Sequence, residues 1–141
     1  MGAAAPDGVR RSPKGGAGLV PAPASPAVLL FFVMDPHRLA KERSIAYHGA
    51  IAERLQRQPE VLANARQRVQ TWLSAGPEAP FYARRWAEIL AGDLPSITGF
   101  LTERSELAEE LRQSSPFAGA LNPQERWILW RETRERLERQ P

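Results

Sequence analysis

Proline is tolerated in the first turn of an α-helix and excluded from its interior, because its ring fixes φ and removes the N–H that the ladder needs. Pro36, Pro59, Pro95 and Pro123 therefore divide residues 34–141 into short segments, each of which can begin a helix at a proline but cannot run through one. Three of them follow a capping residue: Asp35 precedes Pro36, Asp93 stands two before Pro95, and Asn122 precedes Pro123. Gly76-Pro77 and Pro116 act as stops. A chain punctuated in this way folds into several short helices or into none.

The apolar residues between these marks recur at helical spacing. In 36–57, Ile45, Tyr47, Ile51, Ala52 and Leu55 share one side of a helical wheel, opposite Arg38, Glu42 and Glu53. A second helix runs from Pro59 through Val61, Leu62, Ala65, Val69, Trp72 and Leu73 to the stop at Gly76. Tyr82, Trp86, Ile89 and Leu90 form a third that ends at Gly92, and Asp93 starts a fourth carrying Ile97, Phe100 and Leu101. Thr102 or Ser105 can cap a fifth that holds Leu107, Ala108 and Leu111. The last begins at Asn122-Pro123-Gln124-Glu125, where Asn caps, Pro takes the first position and Glu can return the capping bond. No run of alternating β-branched residues occurs, and the best strand candidate is 29–33. The expected class is all-α: a single small bundle of five to six helices over residues 34–141.

Residues 1–33 read differently. The stretch 1–26 is too rich in Gly, Pro and Ala to bury a core, and it is expected to be a disordered, low-complexity tail. The apolar run 27–33 behind Arg10, Arg11 and Lys14 has some features of a signal peptide, but it is short, flanked by prolines and followed by Asp35-Pro36 where a small-residue cleavage site belongs. Met34 stands directly before a strong helix start, so the expectation is that translation begins there and that 1–33 is an upstream extension of the reading frame.

Charge and composition remove several functions. Of the 19 cations and 16 acids, Arg10, Arg11, Lys14 and Asp7 lie in 1–33, which leaves the helical part almost neutral. Lysine occurs only at 14 and 41, and arginine supplies the rest, a pattern attributable to a GC-rich genome. Cysteine is absent, so disulfides, thiolate metal sites and cysteine nucleophiles are excluded. No apolar run is long enough to span a membrane. His37 and His48 are the only histidines, and Glu103, Glu106, Glu109 and Glu110 read as a solvated face, so neither a metal nor a cofactor is expected. In the final helix Arg131, Arg134, Arg136 and Arg139 alternate with Glu132, Glu135 and Glu138 at four-residue spacing, which largely cancels the field a nucleic acid would need, so nucleic-acid binding is not the favoured reading.

Two sets of candidate site residues remain. Arg43-Ser44-Ile45-Ala46-Tyr47-His48 resembles the Arg-(four to six residues)-His motif of the HEPN ribonucleases, all-α proteins in which the pair acts on the RNA backbone; the resemblance implies RNA cleavage with Arg43 and His48 as catalytic residues. On a regular helix the two side chains point about 140° apart. His48 lies on the apolar face one turn after Ser44, so a core histidine bonded to Ser44 or to a loop carbonyl is the favoured reading. The second set is the apolar loop before the last helix. Phe117 can plug between helices, Leu121 can staple the helix start and Gly119 can take a positive φ; alternatively Ser114, Ser115, Pro116, Phe117 and Gly119 form an exposed patch for a protein partner. Trp72, Trp86, Trp127 and Trp130 have core-compatible spacing, and both Trp127 and Trp130 are expected to face inward.

The string Arg-Gln-Ser-Ser-Pro-Phe-Ala-Gly-Ala-Leu-Asn-Pro-Gln-Glu-Arg-Trp at 112–127, with Glu-Arg-Ser-Ile-Ala-Tyr-His at 42–48, resembles a group of short uncharacterised bacterial all-helical proteins. Some of these are encoded beside nucleotidyltransferase-like genes, in the manner of antitoxins or accessory subunits. The resemblance covers 34–141. It implies a cytoplasmic, non-catalytic interaction module with a protein partner, and the HEPN-like nuclease or nucleic-acid binder is the alternative.

Overall fold

The computed structural model of the chain describes residues 35–140. The expectations for 1–33 and for a start at Met34 lie outside the described residues. Among the described residues six α-helices form: α1 (Pro36–Leu55), α2 (Pro59–Leu73), α3 (Phe81–Leu90), α4 (Leu94–Leu101), α5 (Glu106–Arg112) and α6 (Pro123–Glu138), with a 3-10 turn over Gly76–Glu78. No strand occurs among the described residues, so the domain is all-α, and Pro36–Gln140 form one compact unit.

The helix starts follow the local chemistry. Asp93 accepts the Ser96 N–H at 3.0 Å, and Ser105, rather than Thr102, caps α5 by accepting the Ala108 N–H. At α6 Asn122 and Glu125 exchange both bonds of a capping box, at 2.8 and 2.9 Å. Each such cap satisfies amides that the helix cannot bond internally and contributes about 1 kcal/mol. α2 starts on Pro59 without a side-chain cap from Gln58. Gly76, at φ +67, turns the chain out of α2 in a conformation that a side chain would strain.

Arginines close several segment ends. Arg66 donates Nε and Nη2 to the Leu90 carbonyl at the end of α3, and Arg112 donates Nη1 to the carbonyls of Leu101 and Glu103 at the end of α4. Arg84 does the same for Ala79 after the 3-10 turn. A forked, always-charged donor suits such orphaned carbonyls, which sit at the negative ends of helix dipoles. The arginine content thus has a structural use that composition alone did not suggest.

α1 is the central helix, in contact with α2, α4, α5 and α6, while α3 packs on α2 and α4. Because neighbours approach α1 from several directions, its buried residues do not form a single stripe. Glu42, expected on the solvent side, is only 7% exposed. It accepts both Nη groups of Arg104, at 2.6 and 3.0 Å, and lies 3.5 Å from Arg136 of α6. The hydrogen bonds from Arg104 hold the Glu42 carboxyl below the usual carboxylate range.

The core centres on Trp86, which is fully buried, donates Nε1 to the Leu111 carbonyl at 3.1 Å and meets Phe100 and Phe117 edge-on. The expectation that both tryptophans of α6 face inward needs correction. Trp130 is half-buried against Tyr47, but Trp127 is 62% exposed. The two are three residues apart, and about 60° of rotation on the wheel separates a contact with α1 from open solvent.

Candidate functional site

Tyr47 and His48, adjacent on α1, both reach the loop between α5 and α6. Tyr47 donates its hydroxyl to the Phe117 carbonyl at 2.9 Å. His48, 3% exposed, places Nδ1 2.7 Å from the Ser44 carbonyl and Nε2 2.8 Å from the Ser115 hydroxyl. A carbonyl only accepts, so Nδ1 carries the proton, Nε2 is the acceptor and Ser115 donates to it. Ser115 Oγ in turn accepts the Phe117 N–H at 3.1 Å. Burial pushes the His48 pKa down from its ordinary 6.5 to about 4, against the Ser44 carbonyl, which favours the charged form; Arg112 adds a smaller repulsion. The ring is therefore neutral near pH 7 and holds the loop to α1, as the core-histidine reading expected for Ser44. The loop partner is the Ser115 hydroxyl and not a carbonyl.

The loop is held from below by further donors. Arg68 of α2 bonds the carbonyls of Pro116 and Ala118, at 3.2 and 2.6 Å. Arg54 bonds the Ala120 carbonyl and forms an ion pair with Glu125, while Arg126 bonds the Leu121 carbonyl. Gly119 adopts φ +85, as expected, which lets the chain reverse between these anchors. Five successive or near-successive carbonyls thus find protein donors, which removes the desolvation cost of seating a loop on a core.

This geometry corrects the proposed exposed patch. Phe117 is 2% exposed and packs on Trp86, and Pro116 is also buried, so neither side chain is available to a partner. Ser114 and Ser115 are half-buried and Gly119 is exposed. The carbonyl bonds explain the inward choice: once Tyr47 and Arg68 hold the backbone, the ring at 117 falls into the gap beside Trp86.

Arg43, His48, Ser114, Ser115 and Gly119, which the sequence assigned to two unrelated sets, line one cleft of about 770 Å³. The volume lies within the range of small-molecule pockets. Sequence reasoning missed that the wall also includes Arg112, Arg126, Trp72, Tyr82 and Trp130. These come from α5, α6, α2 and α3, and no spacing within one helix could have grouped them. Trp72 and Tyr82 meet edge-on at 5.2 Å, and Tyr47 and Trp130 at 6.2 Å. The Arg43 guanidinium lies over the Trp130 ring at 5.9 Å, a cation–π arrangement. No Asp or Glu lines the cleft.

Two guanidinium nitrogens here, Arg43 Nε and Arg112 Nη2, are buried and have no hydrogen-bond partner in the protein. Burial draws both guanidinium groups below the usual arginine range, with Arg134 adding to the effect at Arg43. Arginine nonetheless stays charged at neutral pH. Among the described residues no group of three or more His, Asp or Glu is arranged to hold a metal ion, and no helix is long and apolar enough to cross a membrane. Chemically, the cleft can hold an anion and stack a ring, while His48 is neutral and engaged at both nitrogens. No protein-family model matches the chain, and comparisons with curated proteins and with solved structures find no significant match.

Proposed function

We propose that this domain is a non-catalytic interaction module, acting as an antitoxin-like or accessory subunit of a partner protein through the first turns of α6 rather than through Phe117. The observation that carries the reading is the exposure of Trp127, beside the half-exposed Ile128, directly after a fully formed capping box. A large aromatic displayed on a rigid helix start is the type of residue that anchors protein interfaces. Charge weakens a nucleic-acid reading of α6: Arg134 pairs with Glu138 and Arg136 with Glu42, so two of its four arginines are matched within the domain.

Affinity purification from the native cell with the wild type and with Trp127→Ala tests the reading. Loss of a specific co-purifying protein in the variant, at unchanged melting temperature, supports it. Recovery of the same proteins with both forms removes α6 as the contact. A second reading, RNA cleavage by Arg43 and His48, is favoured by one observation, that both residues line the same cleft. It requires a histidine held neutral and bonded at both nitrogens to exchange a proton. RNA fragments released by the wild type and not by His48→Gln would support it.

A further inference from the structure

We propose that the cleft between α1, the 114–119 loop and α6 is a binding site for a small aromatic anion, a planar ring carrying one phosphate or carboxylate group. This goes beyond the interaction reading and does not depend on Trp127.

The first ground is charge. Arg43, Arg112 and Arg126 border the cleft and no carboxylate does. The charges of Glu109, Glu103 and Glu42 act on Arg112, but none of the three lines the cleft: Glu109 is paired with Lys41, Glu103 accepts the Ser105 hydroxyl and Glu42 is paired with Arg104. Buried cations are ordinarily matched by an anion or by a full set of acceptors. Arg112, 5% exposed, spends Nη1 on two carbonyls and leaves Nη2 unmatched, and Arg43 leaves Nε unmatched. An anionic head group in the cleft meets guanidinium groups whose acceptor sets within the protein are incomplete, and charge-assisted bonds of this kind are among the strongest available to a ligand.

The second ground is shape. Trp72 with Tyr82, and Tyr47 with Trp130, give aromatic surface on separate helices. Trp72, Tyr82 and Trp130 are only half-buried, so ring surface remains for a guest. A ring between them stacks or meets edges as protein aromatics do. The size of the cleft suits one small molecule rather than a chain segment.

The four tryptophans provide the test. Trp72 and Trp130 line the cleft, whereas Trp86 is sealed in the core and Trp127 lies outside the lining. In nitrogen-15 correlation spectra of the full chain, 4-nitrophenyl phosphate and 4-nitrobenzoate are titrated as aromatic anions, with neutral 4-nitrobenzamide and ringless inorganic phosphate as contrasts. The expected result is a saturable shift of the Trp72 and Trp130 indole signals, with the Trp86 signal unmoved, for at least one of the two anions below about 1 mM. The better of the two identifies the head group. Both contrasts should bind at least about tenfold more weakly, and Arg43→Gln should weaken the anion by about tenfold, the scale of one charge-assisted bond. Arg126→Gln, at the half-buried rim, provides the same reading if Arg43→Gln fails to fold. The proposal is overturned if neither anion moves the two cleft signals saturably, if the neutral amide binds as well, or if the folded arginine variant binds with wild-type affinity.

Discussion

The 114–121 loop and the first turns of α6 are contiguous, and both carry large apolar side chains. Phe117 in the irregular segment is 2% exposed, whereas Trp127 in the regular one is 62% exposed. The loop goes inward because donors from three other segments take its carbonyls: Tyr47 and Arg54 of α1, Arg68 of α2 and Arg126. Trp127 stays outward because α6 packs chiefly against α1, and Trp127 lies off that contact. A helix satisfies its own backbone, so nothing obliges every side of it to be covered; a loop near the core must find partners or be excluded. Backbone satisfaction, more than the hydrophobicity of single residues, decided which of the two segments was buried.

The sharpest test of that contrast is Phe117→Ala, which should lower stability by about 3–5 kcal/mol in urea unfolding, as expected for truncating a packed aromatic. A loss below about 1 kcal/mol would mean that the ring is not part of the core. Next in size is the response to acid. His48 has a folded pKa of about 4, below its ordinary 6.5, so the unfolded chain binds the proton more tightly. Its contribution is fully present above about pH 6.5 and is lost as pH falls toward 4, by something on the order of 3 kcal/mol. Stability measured across that window in the wild type and in His48→Gln should diverge in slope; parallel curves would show that the histidine is not the sensor. Glu42, held below the usual carboxylate range by Arg104, adds its own loss at lower pH.

Tyr47→Phe leaves the buried Phe117 carbonyl without its donor and should cost about 1–3 kcal/mol, with faster amide exchange in the loop. If exchange at 115–119 is unchanged, the hydroxyl does not hold the loop. The smallest effect belongs to the other side of the comparison. Trp127→Ala should change the unfolding free energy by less than about 0.5 kcal/mol, and a larger loss would place Trp127 in an intramolecular contact that the fold does not show.

The parts legible in the sequence are those with a local cause. The starts at Pro36, Pro59, Asp93, Ser105 and Asn122 each depend on a cap or a proline acting within one turn, and each helix lies where those residues put it. Gly119 and the Ser44 bond of His48 are local in the same sense. Glu42 and Trp127 were misplaced because a helical wheel orders side chains around an axis without saying how many neighbours that axis will have. Of the cleft, Arg43, His48 and the loop serines were visible as residues of interest, but their proximity was not. His48 and Ser115 are 67 positions apart and meet only because α1 runs beneath the loop.

By itself, then, the sequence determined the all-α class and most helix boundaries, since capping and proline geometry operate over three or four residues regardless of what surrounds them. Only the tertiary structure decided that Phe117 faces in, that Trp127 faces out and that Arg43, Arg112 and Arg126 converge on one aromatic cleft. Those outcomes depend on which helices approach α1 and at what rotation, a balance of packing and buried-group satisfaction summed over the whole domain.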